Sequence, residues 1–204
     1  MKAEEFALIL IDVQRDFWRP YSALPRFNTF PENIRSLLSE SRKRGLTIIH
    51  TQAYFRLDRS DWMLFYRPQG RGIVPCVEGT EGVEFELFAK PIQGEPVVRK
   101  QTFDGFLDTD LAKILVERGI KAMFIGGLET SVCVLFTANS AYLRRFVPIV
   151  VSDACADEPM KHDWVLKEYG GLSFLTTNIS EVQRHFDDII KRIEPLMRVR
   201  DATD

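Results

Sequence analysis

Short apolar runs alternate with longer amphipathic stretches along most of this 204-residue sequence. The alternation is typical of a parallel β-sheet covered by helices, because strands buried on both faces are apolar throughout, whereas covering helices are apolar on one side. It predicts six strands, at residues 6–12, 46–51, 97–100, 122–126, 147–152 and 173–176. It predicts five helices, at residues 31–44, 108–118, 131–145, 159–169 and 180–196. The fold class is therefore α/β, a three-layer sandwich with a six-stranded, mainly parallel sheet and helices on both faces.

Length, charge and cysteine content narrow the class of protein. We expect residues 1–204 to form a single domain, since 204 residues is the size of one ordinary domain. The formal net charge is -2, so nothing indicates a nucleic-acid partner. The apolar run at residues 6–11 is too short for a membrane span or an export signal, so no membrane partner is expected. Three irregularly spaced cysteines favour neither disulfides nor a zinc site, and we expect a cytoplasmic protein with reduced thiols.

Several residues mark the ends of the predicted helices. Pro31 fits a first helical turn, Gly45 and Gly119 fit helix C-terminal caps, and Ser180 followed by Gln183 fits a capping box. The segment from residue 54 to residue 96 shows no sustained period of either kind and is rich in Gly, Pro and aromatic residues. Segments of that length in a compact domain usually line or cover a functional site.

Three chemically different side chains follow predicted strands. Asp12 ends the first strand, Lys100 ends the third, and Cys133 opens the helix after the fourth. Each alone has an ordinary interpretation, as a turn residue, a surface charge or a buried thiol. Ligands of open parallel sheets bind beyond the carboxyl ends of the strands, where these three would meet. Their joint position predicts an active site.

The predicted site has the parts of a cysteine nucleophile. A helix N-terminus and the Lys100 cation are both expected to lower the pKa of Cys133, and Asp12 would act as general base and then general acid. Backbone N–H groups in the turn from residue 129 to residue 133 would hold the oxyanion of a tetrahedral intermediate.

Four segments together resemble the isochorismatase-like hydrolase superfamily, which includes cysteine amidases. They are A-L-I-L-I-D-V-Q-R-D-F at 7–17, V-P-C-V-E-G-T-E-G at 74–82, V-V-R-K-Q-T-F-D-G-F at 97–106 and G-G-L-E-T-S-V-C-V-L-F-T-A at 126–138. The resemblance implies a triad of Asp12, Lys100 and Cys133, and a cis peptide bond between Leu128 and Glu129. It also implies an oxyanion hole from the backbone of Glu129 and Cys133. We further expect the strand order 3-2-1-4-5-6 and a homo-oligomer, either a dimer or a tetramer.

Departures from the family pattern bear on the chemistry. Metal-binding members of the superfamily carry histidines in the loop after the second strand, whereas this chain has A-Y-F-R-L-D-R-S-D-W there. We therefore expect no metal and no cofactor. Members that hydrolyse vinyl ethers typically lack the cysteine, so Cys133 favours acyl chemistry.

The sequence thus predicts a hydrolase that cleaves a carbon–nitrogen bond of a small amide, carbamoyl or ureido substrate through a thioester on Cys133. Two alternatives remain open, an isochorismatase-type vinyl-ether hydrolase and a thiol redox sensor in which Cys155 would be the partner thiol. The partner is expected to be a small-molecule substrate. Candidate substrate-binding residues are Phe17, Tyr54 and Trp62, and the neighbouring aromatic residues Trp18, Phe55 and Phe65 are further candidates. Arg67, Arg71 or Arg99 could receive a substrate carboxylate, but an ordinary surface charge is the preferred interpretation of each.

Overall fold

Six parallel strands form one sheet in the order β3-β2-β1-β4-β5-β6, which confirms the predicted fold class and strand order. The structure is a computed structural model and describes residues 3–66 and 74–201. The strands are β1 Phe6–Ile11, β2 Thr47–Ala53, β3 Val97–Lys100, β4 Ala122–Leu128, β5 Val147–Ala156 and β6 Leu175–Thr177. All six carboxyl ends therefore lie at the same edge of the sheet.

Helices cover both faces of the sheet. They are α1 Arg15–Trp18, α2 Phe30–Lys43, α3 Leu111–Glu117, α4 Leu135–Leu143, α5 Pro159–Tyr169, α6 Ile179–Arg184 and α7 Phe186–Asp201. The first core lies under α2, α6 and α7, and the second under α3, α4 and α5. Alternate residues of β1 enter the two cores, Phe6, Leu8 and Leu10 on one face and Ala7, Ile9 and Ile11 on the other. Burial of both faces explains why this strand is apolar throughout. No helix in the described ranges is both long enough and apolar enough to cross a membrane.

The structure corrects two predicted helices. The helix predicted at residues 180–196 is in fact two helices, α6 and α7, which are separated at His185. The segment predicted at residues 131–145 begins with one π-helical turn, Thr130–Val134, that continues into α4. The described part of residues 54–96 forms short 3-10 turns and isolated bridges and no longer helix or strand.

The predicted helix ends are right in three places and wrong in one. Proline lies in the first turn of α2, and Gly45 and Gly119 have φ of 72° and 67° just after α2 and α3. The predicted capping box at Ser180 is wrong, because the N-cap of α6 is Asn178. The Asn178 Oδ1 atom accepts a hydrogen bond of 2.9 Å from the backbone N–H of Glu181.

We expect Asn178→Ala to lower the free energy of unfolding by about 1 kcal/mol, since the Glu181 N–H loses its acceptor. Ser180→Ala is the matched control, and it should change stability by less than about 0.5 kcal/mol because Ser180 is an exposed residue inside the first turn. Urea unfolding of both variants measures the difference. A larger loss for Ser180→Ala than for Asn178→Ala would contradict the cap.

Candidate active site

The three predicted catalytic side chains meet at the carboxyl edge of the sheet. The Lys100 Nζ atom lies 2.6 Å from Asp12 Oδ2 and 3.3 Å from Cys133 Sγ. It also donates a hydrogen bond of 2.8 Å to the carbonyl of Thr102. Asp12, Lys100 and Cys133 are all buried, so this ammonium group links an acid and a thiol out of contact with bulk water.

Asp12 is held in an uncommon backbone conformation. Its φ is 49°, in the left-handed region that few residues other than glycine adopt. The Thr51 hydroxyl, on neighbouring β2, donates to Asp12 Oδ1 at 2.7 Å and lies 3.2 Å from the Asp12 backbone nitrogen, which donates to it. Backbone strain of this kind persists only where surrounding contacts enforce it, and it is common at active sites.

Gln14 fixes the chain beyond Asp12 with three hydrogen bonds from one fully buried side chain. Its Oε1 atom accepts from the Ala53 N–H at 2.8 Å, and its Nε2 atom donates to the carbonyls of Ala53 and Val83 at 2.9 and 2.8 Å. These bonds join the end of β2 to the turn at residues 81–83. Gln14 is therefore a positioning residue that touches none of the three reacting groups in these contacts.

The pKa of Cys133 differs from the sequence-based prediction. Burial raises the pKa of the Cys133 thiol above its ordinary value, the Lys100 cation offsets part of this rise, and the Asp12 carboxylate adds to it. The prediction of a lowered pKa is wrong, because it considered Lys100 and the helix N-terminus and omitted burial. Burial lowers the pKa of Lys100, but the negative charge of Asp12 and the hydrogen bonds to Asp12 and Cys133 outweigh that effect and raise it overall.

The turn that carries the thiol is anchored to the rest of the fold by polar contacts. The peptide bond between Leu128 and Glu129 is cis, at the position that the family resemblance implies. The next residue, Thr130, has its hydroxyl oxygen 2.8 Å from His162 Nδ1 on α5, and the Ser131 N–H donates to Asp157 at 2.7 Å. The turn is π-helical, a geometry that occurs frequently at functional sites.

A cavity of about 40 Å³ lies directly beside the triad. Phe17 lines it, as predicted for a substrate-binding residue, and so do Lys100 and Cys133. Aromatic and aliphatic side chains from the loops that follow β2, β3 and β4 complete the apolar part of its wall, namely Phe55, Met63, Tyr66, Phe103 and Val132. Of these five, Phe55 was predicted as a candidate and the other four were not. Phe55 and Phe103 were detectable, because each follows a strand by two or three residues at the same sheet edge.

Two predicted substrate-binding residues do not line this cavity. The Tyr54 hydroxyl donates to Glu78 at 2.7 Å, and the Trp62 indole N–H donates to the Arg56 carbonyl at 2.8 Å on the outer side of the loop. Arg99 stacks on the Tyr54 ring at 4.0 Å, also outside the cavity. Arg67 and Arg71 fall outside the described residues.

Within the part of the chain that the structure describes, no three His, Cys, Asp or Glu side chains are grouped so that they could hold a metal ion. The three cysteines are free and buried. The Cys155 Sγ atom lies 4.0 Å from the carbonyl of Ile125 in the sheet.

Comparisons with known proteins place the chain in a family. The Isochorismatase domain model matches residues 6–178, which include all three triad residues. The isochorismatase family protein YddQ of Bacillus subtilis is 31% identical over 151 residues, and the match covers 74% of this chain and 77% of that protein. Streptothricin hydrolase of Streptomyces noursei is 30% identical over 150 residues, and the match covers 74% of this chain and 54% of that protein.

A solved structure agrees with these sequence matches. N-carbamoylsarcosine amidase from Thermoplasma acidophilum is 27% identical and superposes with a TM-score of 0.70, over 88% of this chain and 97% of that one. The six-stranded sheet and the family match over residues 6–178 agree with this similarity. This chain belongs to the isochorismatase family.

Proposed function

We propose that this chain is a cysteine-dependent hydrolase that cleaves a carbon–nitrogen bond of a small amide, carbamoyl or ureido substrate through a thioester on Cys133. One observation carries the proposal: the Lys100 ammonium lies between the Asp12 carboxylate, at 2.6 Å, and the Cys133 thiol, at 3.3 Å. Similarity to a hydrolase and to an amidase agrees with it.

The first chemical step begins with a proton transfer. Because burial raises the pKa of Cys133, the thiol holds its proton until a substrate binds, and Asp12 takes that proton as Cys133 Sγ attacks the carbonyl carbon. Backbone N–H groups of Glu129 and Cys133 stabilise the oxyanion. Asp12 then gives its proton to the departing nitrogen, and the carbon–nitrogen bond breaks to leave a thioester.

The second step releases the acid. Asp12, ionised again, takes a proton from water as the water oxygen attacks the thioester carbonyl. The tetrahedral intermediate then collapses, the carbon–sulfur bond breaks, and Asp12 gives the proton to Cys133 Sγ, which restores the thiol and the ionised Asp12. Lys100 stays charged in both steps, since its three N–H groups face Asp12, Cys133 and the Thr102 carbonyl. It supplies fixed positive charge beside the sulfur atom, where negative charge develops and disappears.

The proposal predicts that ammonia release from primary amides and ureides depends on Cys133. Cys133→Ala should lower turnover by about 10⁴-fold or more, because the nucleophile is removed. Cys155→Ala is the matched control, since Cys155 is also a buried thiol and its Sγ atom lies against the Ile125 carbonyl in the sheet. It should keep activity within about threefold, a change too small to reflect loss of a nucleophile.

Intact mass spectrometry provides the direct measurement. Wild-type protein incubated with a panel of small amides and ureides should gain the mass of an acyl group, and peptide mapping should place that group on Cys133. Full turnover by Cys133→Ala would overturn the proposal and favour vinyl-ether hydrolysis. Absence of any adduct and of ammonia across the panel, with Cys133 readily oxidised by peroxide, would favour a redox sensor.

A further inference from the structure

The cavity beside the triad contains one acidic side chain that the proposed catalytic steps do not use. Glu129 lines the cavity, and its Oε1 atom accepts a hydrogen bond of 2.6 Å from the Tyr21 hydroxyl behind it. The catalytic steps above require only the backbone of Glu129. The charge of its carboxyl group acts on the cavity all the same, since it contributes to the raised pKa of Tyr66 on the cavity wall.

The charges around the cavity do not cancel. Lys100 neutralises Asp12, and Cys133 is a protonated thiol at rest, so an ionised Glu129 leaves the described residues of the site with one net negative charge. Lys100 is the only cation among the described residues that line the cavity, and its three N–H groups already have partners. Described residues thus offer an entering anion no free cation.

Several groups set the ionisation of Glu129. Burial raises its pKa, the hydrogen bond from Tyr21 lowers it, the carboxylates of Asp157 and Asp12 raise it, and Lys161 lowers it. Tyr66, which also lines the cavity, has its pKa raised to about 12 by burial and by the negative charge of Glu129, so its hydroxyl stays neutral. The negative charge in the cavity consequently increases as the pH rises through the pKa of Glu129.

Most of the remaining described wall is hydrocarbon. The side chains of Phe17, Phe55, Phe103 and Val132 contain no polar atom, and the hydroxyl of Thr102 already donates to the Asp104 carbonyl at 3.0 Å. Transfer of a carboxylate from water to such a wall is unfavourable unless a donor or cation replaces the lost hydration. An N–H group placed near Glu129 would gain a charged acceptor instead.

We propose that the Glu129 side chain makes this site selective against anionic substrates and favours uncharged or cationic amides that present an N–H donor to it. The inference rests on the proposed amide hydrolysis and adds the charge class of the substrate.

Two thiol reagents of nearly equal size test the charge selectivity without turnover. Iodoacetamide is neutral and contains a primary amide, whereas iodoacetate is an anion. Peptide mass spectrometry measures the rate constant for alkylation of Cys133 by each reagent. The ratio of the iodoacetamide rate constant to the iodoacetate rate constant is then compared with the same ratio for N-acetylcysteine amide, a neutral free thiol. We expect the ratio for Cys133 to exceed the free-thiol ratio by about 30-fold or more at pH 8, from repulsion between charges a few ångströms apart.

A charge-neutral variant identifies the residue responsible. Glu129→Gln keeps an acceptor for Tyr21 and should lower the excess ratio by about 10-fold, since the repelling charge is gone. Glu78→Gln is the matched control, because Glu78 is an exposed acid outside the cavity, and it should leave the ratio within about twofold. Equal ratios for Cys133 and the free thiol, or an unchanged ratio in Glu129→Gln, would overturn the inference.

A substrate pair separates this inference from the proposed function. Wild-type protein should hydrolyse neutral succinamide with a higher kcat/KM than anionic succinamate, and Glu129→Gln should narrow the difference. Turnover that depends on Cys133 but does not discriminate between the two would overturn the charge selectivity and leave amide hydrolysis standing. Selective alkylation without turnover of any amide would overturn the proposed hydrolysis and leave a cavity that rejects anions.

Discussion

Replacing Lys100 with Met should lower kcat/KM by about 10³-fold, because the transition state loses the fixed positive charge beside sulfur. The same change should lower the free energy of unfolding by about 3–5 kcal/mol, since it leaves the Asp12 carboxylate buried without its cation. Asp12 is 0% and Lys100 1% exposed, so water cannot replace either partner. Methionine keeps most of the length of the lysine side chain, which limits the change in packing.

A second substitution separates the two effects. Asp12→Asn combined with Lys100→Met removes both charges, and replacement of a buried ion pair by uncharged residues is often neutral for stability. The double variant should therefore recover most of the stability that Lys100→Met loses. Its turnover should be even lower than that of Lys100→Met, because the general base and the cation are both missing. Urea unfolding measures the first quantity and ammonia release the second.

Lys121→Met is the matched control for this pair of variants. Lys121 lies 2.9 Å from Glu5 in an ion pair that is about a quarter exposed, with side-chain exposures of 26% and 27%. Its loss should cost less than about 1 kcal/mol and should leave activity unchanged. The electrostatic account of the site is wrong if Lys100→Met is as stable as Lys121→Met, or if the double variant is no more stable than Lys100→Met.

The sequence could predict the triad because each member lies at a strand end. Strand β1 is apolar on both faces, so its end is visible as the first polar residue, Asp12 after Ile11. Parallel order then brings all the carboxyl ends to one edge of the sheet. Neither step needs knowledge of loop conformation, and both were confirmed by the strand order.

The cavity wall could not be predicted in the same way. Phe55 is 2% exposed and lines the cavity, while its neighbour Tyr54 points to Glu78 on the outside. Strand β2 ends at Ala53, and the regular alternation of its side chains between the two faces ends there too. Beyond it, the isolated bridge between Phe55 and Val77 decides that the ring of Phe55, and not that of Tyr54, faces the cavity. That bridge joins residues 22 positions apart, and no local pattern specifies it.

The pKa of Cys133 was mispredicted for a related reason. Lys100 and the helix N-terminus can be read from order along the chain, and both favour a thiolate. The opposing effect is burial, which depends on how the loops that carry Phe17, Tyr66 and Phe103 assemble around the cavity beside Cys133. Burial is a property of the assembled loops, and here it outweighs the local charges.

Gly127→Ala should prevent the protein from folding to its native state, because the backbone of a neighbouring strand occupies the space that a methyl group would need. Gly127 has φ of 131°, and a Cβ atom there would lie 2.1 Å from the carbonyl oxygen of Ile11 on β1. The two residues are paired in the central strands β1 and β4. No side chain can rotate to relieve this contact, so the strands would have to separate next to Asp12.

Two other glycines provide a graded series of controls. Gly119→Ala should cost only about 1 kcal/mol, since its φ is 67° but no atom lies within 4 Å of the added methyl group. Gly126→Ala should cost about 1–3 kcal/mol, because the methyl group would lie 3.0 Å from the Ala154 carbonyl oxygen and 3.3 Å from Leu37.

Circular dichroism and urea unfolding of the three variants give the order of stability. Gly119→Ala should lose the least free energy of unfolding and Gly126→Ala should lose more. Gly127→Ala should lose more than about 4 kcal/mol or yield no soluble folded protein. Any folded Gly127→Ala protein should also lose turnover, because the change spreads β1 and β4, which carry Asp12 and the Cys133 turn at their ends. A Gly127→Ala protein with wild-type stability would show that close pairing of Ile11 and Gly127 is not required to bring the acid and the thiol together.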